Sequence, residues 1–273
     1  MKRLLSRRRH PLAGLIVLAL ALVAFGGVYS ALMRPSSARA ETENYTGAEV
    51  AQGKALFLNN CASCHGENGE GQLQRQGTVI GPSLIGVGAA AVDFQVMTGR
   101  MPAANQGAQI AKHRVLYSQR ESNLMAAFVA SLAPGPAIPS KDRYDSAGLT
   151  KSDVARGGEL FRSNCAQCHG ASGNGGALSY GKYAPAIKVA AVHIYEAMQT
   201  APQNMPEFSD STIAPSDKKR IIGYIESMEA STNQGGTGLG RLGTVPEGLV
   251  GWVVGIGSLV AVAVWLGVKG VRA

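Results

Sequence analysis

Two stretches of this chain recur at one fixed interval, and that duplication limits the fold more than any other feature. Val50-Ala51-Gln52-Gly53-Lys54-Ala55-Leu56-Phe57 returns as Val154-Ala155-Arg156-Gly157-Gly158-Glu159-Leu160-Phe161. The match continues from Asn60-Cys61-Ala62-Ser63-Cys64-His65-Gly66 to Asn164-Cys165-Ala166-Gln167-Cys168-His169-Gly170, with an offset of 104 throughout. A fold for this chain is therefore two similar units in tandem, each of roughly 85 residues.

Each unit contains C-x-x-C-H, the attachment pattern of a c-type haem. Two thiols add to the two vinyl groups on one porphyrin edge, and the adjacent His reaches the iron. Cys61, Cys64, Cys165 and Cys168 are all the cysteines of the chain, so both sites together consume every thiol. A bare C-x-x-C also suits a redox dithiol or half of a zinc site. The following His, the duplication and the lack of further Cys favour two covalently bound haems with His65 and His169 as proximal ligands.

An electron-carrying haem needs a second axial ligand, and a thioether raises its reduction potential. Met101 follows His65 by 36 residues and Met205 follows His169 by the same 36. Both precede a proline, Pro102 and Pro206, which places them on irregular loops able to aim a side chain at a ring. Met97, Met125, Met198 and Met228 lack this register and read as core filler. His113 and His193 are the rival distal ligands, but Asp217 and Ala89 stand at their repeat positions. His193 is expected within a helix over 189–198.

The remaining periodicity is helical. Gly53 to Asn60 and Gly157 to Asn164 carry Leu and Phe on one face. After each Met comes a second amphipathic segment, 125–132 in one unit and 221–228 in the other, in which Phe128 matches Tyr224 and Ser131 matches Ser227. The offset there has fallen to 96, which places a loop insertion of about eight residues between Ala103 and Arg120. No strand alternation is visible, so the chain reads as all-α. Units this small gain from a buried prosthetic group that substitutes for missing apolar core.

The formal net charge is +8, but seven positive charges lie at the two tips: Lys2, Arg3, Arg7, Arg8, Arg9, Lys269 and Arg272. The intervening 19 basic and 18 acidic residues nearly cancel, which excludes nucleic-acid binding by a basic face. The tips flank uncharged runs of 23 residues (11–33) and 21 residues (248–268), each long enough to cross a bilayer core. Basic residues on the outer end of both runs predict cytoplasmic termini and an extracytoplasmic middle. Ala38-Arg39-Ala40 also suits a leader-cleavage site, although the first run is long for a leader. Gly251 and Gly255 have G-x-x-x-G spacing, which permits close helix approach.

With these motifs in hand, each unit resembles a class I cytochrome c domain: N-terminal helix, C-x-x-C-H, Pro loop, Met loop, C-terminal helix. The resemblance implies that Pro82 and Pro185 offer carbonyls to the proximal histidines, although their spacing differs by one. The whole chain is similar to the dihaem cytochrome c subunit of the actinobacterial cytochrome bcc complex, a menaquinol–cytochrome c reductase. That likeness implies a plasma-membrane electron-transfer subunit of a translocase with no catalytic residue of its own. Its implied partners are cytochrome b, the Rieske iron–sulfur protein, which donates electrons, and the copper centre of an aa-type cytochrome c oxidase, which accepts them. A free-standing anchored carrier serving other oxidases or dehydrogenases is the alternative.

The expected organisation is a tip and first transmembrane helix (1–33), a first cytochrome domain (45–133) and a Pro-rich linker (134–147). A second cytochrome domain (148–230), a Gly-rich linker (231–246) and a C-terminal transmembrane helix (247–268) complete it. Three prolines in 134–139 predict a semi-rigid spacer, and the Gly-rich coil has a reach of roughly 20–25 Å.

Overall fold

The computed structural model describes residues 12–32, 44–73, 79–105, 109–231 and 244–271. The cleavage tripeptide at 38–40, most of the 231–246 linker and part of the insertion therefore lie outside the described residues. The N-terminal apolar run forms α1 (Ala13–Leu32), which belongs to a separate compact unit spanning Met1–Ala40. The rest of the chain forms the second unit.

Within that second unit the helices make two groups of like build. The first contains α2 (Gly47–Asn60), the haem-motif turn α3 (Ala62–His65), α4 (Gly88–Met97) and α5 (Gln119–Leu132). A short α6 (Lys141–Tyr144) follows, and the second group then repeats the order as α7 (Lys151–Asn164), α8 (Ala166–His169), α9 (Ala191–Thr200) and α10 (Pro215–Ala230). The chain ends on α11 (Thr244–Val271).

The first helix of each group starts on a reciprocal capping box: Thr46 with Glu49 on α2, and Thr150 with Asp153 on α7. Each box satisfies backbone donors that the first helical turn leaves free. Ser118 and Glu121 do the same for α5.

In each group the first helix packs against the last, α2 on α5 and α7 on α10. Glycines allow the contact. Gly53 lies against the Leu124 carbonyl and Gly157 against that of Arg220, and neither place has room for a Cβ. Beside each crossing stands an aromatic pair, Phe57–Phe128 with centroids 4.9 Å apart and Phe161–Tyr224 at 5.5 Å. These separations favour tilted packing and add to plain area burial. The sequence match of Phe128 with Tyr224 thus corresponds to one structural position.

Two short antiparallel ladders depart from the all-helical expectation. β1 (Gln72–Leu73) pairs with β2 (Val79–Gly81), and β3 (Gly176–Ala177) pairs with β4 (Tyr183–Ala184). Strands of two or three residues are too short to show alternation in a sequence.

The proline segment after α5 is less a spacer than a strap. The Ala90 backbone N–H donates to the Pro136 carbonyl at 3.1 Å, and Gly88, at φ +77°, leaves no room for a Cβ beside Pro136. Next along the chain, α6 packs on α9 and α10. Its Arg143 donates to the Tyr195 hydroxyl at 3.3 Å and pairs with Asp210.

Among the described residues, one helix is long and apolar enough to cross a membrane, Glu247–Gly270. Its side chains are exposed throughout, as are most of those described on α1.

Candidate functional site

Both C-x-x-C-H motifs fold alike. The helix before each motif ends at its first Cys, whose N–H donates to Phe57 O or Phe161 O. One further turn carries the second Cys and the His. Gly66 (φ +79°) and Gly170 (φ +74°) then reverse the chain, a backbone state that residues with a Cβ adopt at a cost.

The loops beyond them close equivalently. Gly71 N–H donates to His65 O and Gly175 N–H to His169 O, while Leu84 N–H reaches Gly69 O and Ile187 N–H reaches Gly173 O. The duplication therefore extends to backbone hydrogen bonds outside the matched sequence.

Each His is oriented by a proline carbonyl. His65 Nδ1 lies 2.7 Å from Pro82 O, and His169 Nδ1 lies 2.9 Å from Pro185 O. A carbonyl only accepts, so each Nδ1 carries a proton, and in the neutral ring the lone pair then lies on Nε2. Burial, the larger influence, holds the His169 pKa below its ordinary value, while the bond to Pro185 opposes it. A neutral, fixed imidazole with a free Nε2 is the form that binds iron.

The one-residue difference in His-to-Pro spacing has a structural cause. In the first ladder Gln72 faces Gly81 but Leu73 faces Val79, so Ile80 is an extra residue in a bulge. In the second ladder Gly176 faces Ala184 and Ala177 faces Tyr183 in regular register. The bulge absorbs the extra residue before the proline is reached.

The cysteines do not resemble a redox dithiol. Burial pushes the thiols of Cys61 and Cys165 up to about 11, with a smaller push from Cys64 and Cys168. A nucleophilic C-x-x-C pair needs the opposite shift.

A cavity of about 190 Å³ opens beside the second motif. Cys165, Cys168, His169, Pro185 and Met205 all line it, so the sequence-predicted residues of that site converge on one space. It is largely apolar, and the second group's buried cluster, which includes Phe161, Ile194 and Ile221, packs around it. The first group's cluster has four buried members, Phe57, Ala62, Phe128 and Val129. Donor set, free Nε2 and apolar space fit a c-type haem.

The rival histidines have polar partners of their own, although His193 also lines the cavity that holds His169 and Met205. His113 meets the carbonyls of Arg114 (2.8 Å) and Pro102 (2.6 Å) with its two ring nitrogens. His193 is buried on α9, with Nδ1 2.8 Å from Glu196 Oε2 and 3.8 Å from Asp93 Oδ2. Asp93 is itself buried on α4 and accepts from Gln119 (2.6 Å) and Ser122 (2.8 Å). This cluster joins the two helix groups where α4 meets α9. Burial lowers the His193 pKa most; Asp93 opposes that, while Arg100 and Lys112 add to it.

Sequence reasoning missed Asp93 and Glu196. Glu196 stands one helical turn from His193 but gains meaning only when Asp93 of the first half meets that histidine across the two halves. It also missed that Phe94, Arg100, Gln109, Ile110 and Lys112 of the first group line the second group's cavity. Of the residues expected to be core filler, Met125 and Met198 are buried and Met228 packs on the second cluster.

Comparison with known proteins finds relatives over nearly the whole chain. The family model for cytochrome c matches residues 50–133, and that for cytochrome c oxidase, cbb3-type, subunit III matches residues 152–225. The cytochrome bc1 complex cytochrome c subunit of Corynebacterium diphtheriae is 42% identical, covering 97% of this chain and 98% of that protein. Those of Mycobacterium leprae and Mycobacterium tuberculosis are each 40% identical, over 93% and 96% of this chain and 87% and 93% of theirs.

Proposed function

The chain belongs to the family of cytochrome c subunits of the cytochrome bc1 complex, and from that membership we propose a route for its electrons. They enter from the Rieske iron–sulfur protein of a quinol–cytochrome c reductase and leave to the copper centre of an aa-type cytochrome c oxidase. Two covalently attached c-type haems are the cofactors, one per C-x-x-C-H motif. The relatives' names speak of a cytochrome c subunit in a bc1 complex; the Rieske donor, the cytochrome b neighbour and the oxidase are our finer reading.

One observation carries it: the same His–Pro pairing stands in both copies, at 2.7 and 2.9 Å. Two proximal sites built alike, with Met101 and Met205 in matched register for the sixth position, suit a conductor, whereas a haem enzyme leaves one iron position open to substrate. Bound haem supplies a one-electron ferric/ferrous couple. In our reading Cys61, Cys64, Cys165 and Cys168 attach it, and His65 with Met101 and His169 with Met205 ligate iron. Pro82 and Pro185 hold each Nδ1 proton, which fixes the ring orientation and raises the basicity of Nε2. Residues 45–133 and 148–230 are then two cytochrome c domains, and no side chain of this chain converts substrate.

The membrane arrangement we propose has α1 and α11 as two spans of the plasma membrane, both termini cytoplasmic and the haem domains outside. The support is the basic residues beyond the outer ends of both apolar runs. Lys269, 4.4 Å from the Trp265 ring centroid, fits an interfacial anchor at one end of α11.

The test is quinol-driven reduction in membranes. Added quinol is expected to reduce two c-type haems per chain, and this reduction is expected to stop when the Rieske subunit is deleted. Reduction at an unchanged rate without the Rieske subunit would contradict the route.

A further inference from the structure

The insertion that distinguishes the first half from the second ends up beside the second half's cofactor cavity. Its contacts there are reciprocal. The Gln109 side-chain amide donates to Tyr183 O at 2.6 Å and accepts from Tyr183 N–H at 2.8 Å. In return the Gln203 amide accepts from Ile110 N–H at 3.1 Å and donates to Ile110 O at 3.3 Å. Each amide thus satisfies both polar groups of one backbone residue across the gap, the pairing a neighbouring strand would provide.

The two residues held in this way are placed with consequence. Tyr183 lies on β4, two positions before Pro185, whose carbonyl orients His169. Gln203 lies two positions before Met205 and has φ +59°, a left-handed state that a residue with a Cβ keeps only where its surroundings impose it. Gln109, Ile110 and Lys112 also line the cavity that His169 and Met205 share. One short segment therefore grips both the proximal and the distal loop of a single site.

We propose that residues 109–112 of the first half act as an intramolecular clamp on the second haem site, with Gln109 and Gln203 as positioning residues that hold the Pro185 and Met205 loops together. The clamp rests on reading Met205 as an iron ligand. Its consequence is that the second site's ligand strength depends on the first half. A loosened Met205 loop exchanges its thioether more readily for an external ligand, because part of the restraint that favours the bound state has gone.

The test uses the full-length chain purified in detergent with both haems attached. Imidazole, which competes with a thioether for ferric iron, is titrated while the weak far-red absorption of Met-ligated haem is followed. Gln109→Ala and Gln203→Ala are each expected to tighten imidazole binding about tenfold at one haem, equivalent to ~1.4 kcal/mol, the scale of two lost hydrogen bonds. The other haem should titrate as in the wild type. Met205→Ala should remove the same spectral component that the Gln variants weaken.

If Met205→Ala halves the far-red band but both Gln variants titrate like wild type at both haems, the clamp is wrong and the ligand assignment stands. A full band in Met205→Ala would instead overturn the ligand assignment, and the clamp with it. A general loosening of the fold would move both haems together, which would also overturn the clamp.

Discussion

Replacing Gly157 by Ala tests how the second group of helices is held together. An ideal Cβ at Gly157 stands 2.0 Å from the Arg220 carbonyl oxygen and 2.4 Å from its carbon. Real Cβ atoms essentially never approach closer than 3.0 Å, and these atoms belong to the backbone of α10, so no side chain can turn away. Accommodating the methyl group means separating α7 from α10 by about 1 Å along the crossing. Overpacking of this kind costs about 3 kcal/mol, and the better helix propensity of Ala returns about 1 kcal/mol. The net loss is about 2 kcal/mol, or a fall of roughly 5–15 °C in the unfolding midpoint.

Gly158→Ala is the internal control. Its Cβ would meet Tyr224 ring atoms at 2.8 and 2.9 Å and Arg162 Nη1 at 3.1 Å, all on side chains that can shift. The same propensity gain then offsets most of the strain, and the expected change is below about 1 kcal/mol. Thermal unfolding of the haem-loaded chain, followed by helical circular dichroism, measures both. A Gly157→Ala midpoint within about 2 °C of wild type, or a larger loss in Gly158→Ala, would refute the reasoning.

Other consequences follow from the sites. Met101→Ala and Met205→Ala should each remove half of the far-red thioether absorption, read per chain in the ferric protein; a full band in either sets that ligand aside. Replacing Cys61 and Cys64 together, or Cys165 and Cys168 together, by Ser should lower covalent haem from two to one per chain, as measured on the denatured protein. The Asp153 carboxyl is held at about 2, first by the Thr150 hydroxyl, then by Arg220. A folded-state pKa below the unfolded value of about 3.9 contributes stability that is complete above pH ~4 and lost as pH falls towards ~2. Asp153→Asn should therefore show a shallower loss of α7 stability across that window, followed by acid titration of circular dichroism.

How much of this was legible depends on whether one chain segment or two had to be read. The haem motif needs adjacent residues of fixed chemistry, so Cys61 to His65 and its copy are plain in the sequence. The register of Met101 and Met205 is visible because the duplication repeats it. Pro82 and Pro185 emerge only through family likeness, since the bulge at Ile80 breaks their register. The capping boxes at Thr46 and Thr150 stand at the same offset just ahead of the matched segments and could have been found from their T-x-x-E and T-x-x-D spacing.

Contacts between the two halves of the haem-bearing region were not legible. Gln109 meets Tyr183 across 74 residues and Gln203 meets Ile110 across 93, and an exposed glutamine carries no local signal of such a partner. Asp93 and His193 are equally silent, being conventional helix residues until α4 and α9 meet. The Pro-rich stretch misled for a related reason: its stiffness was evident, but its packing along α4 depends on Gly88 at a distance.

The proposed role places the chain inside a bc complex that feeds an oxidase. Its most direct test is to tag this chain in its native membrane, extract it in mild detergent and record the reduced-minus-oxidised spectrum of what co-purifies. Stoichiometric haem b and haem a bands are expected beside the c band. A c band alone, persisting in successively gentler detergents, would contradict that role and identify a free-standing anchored carrier.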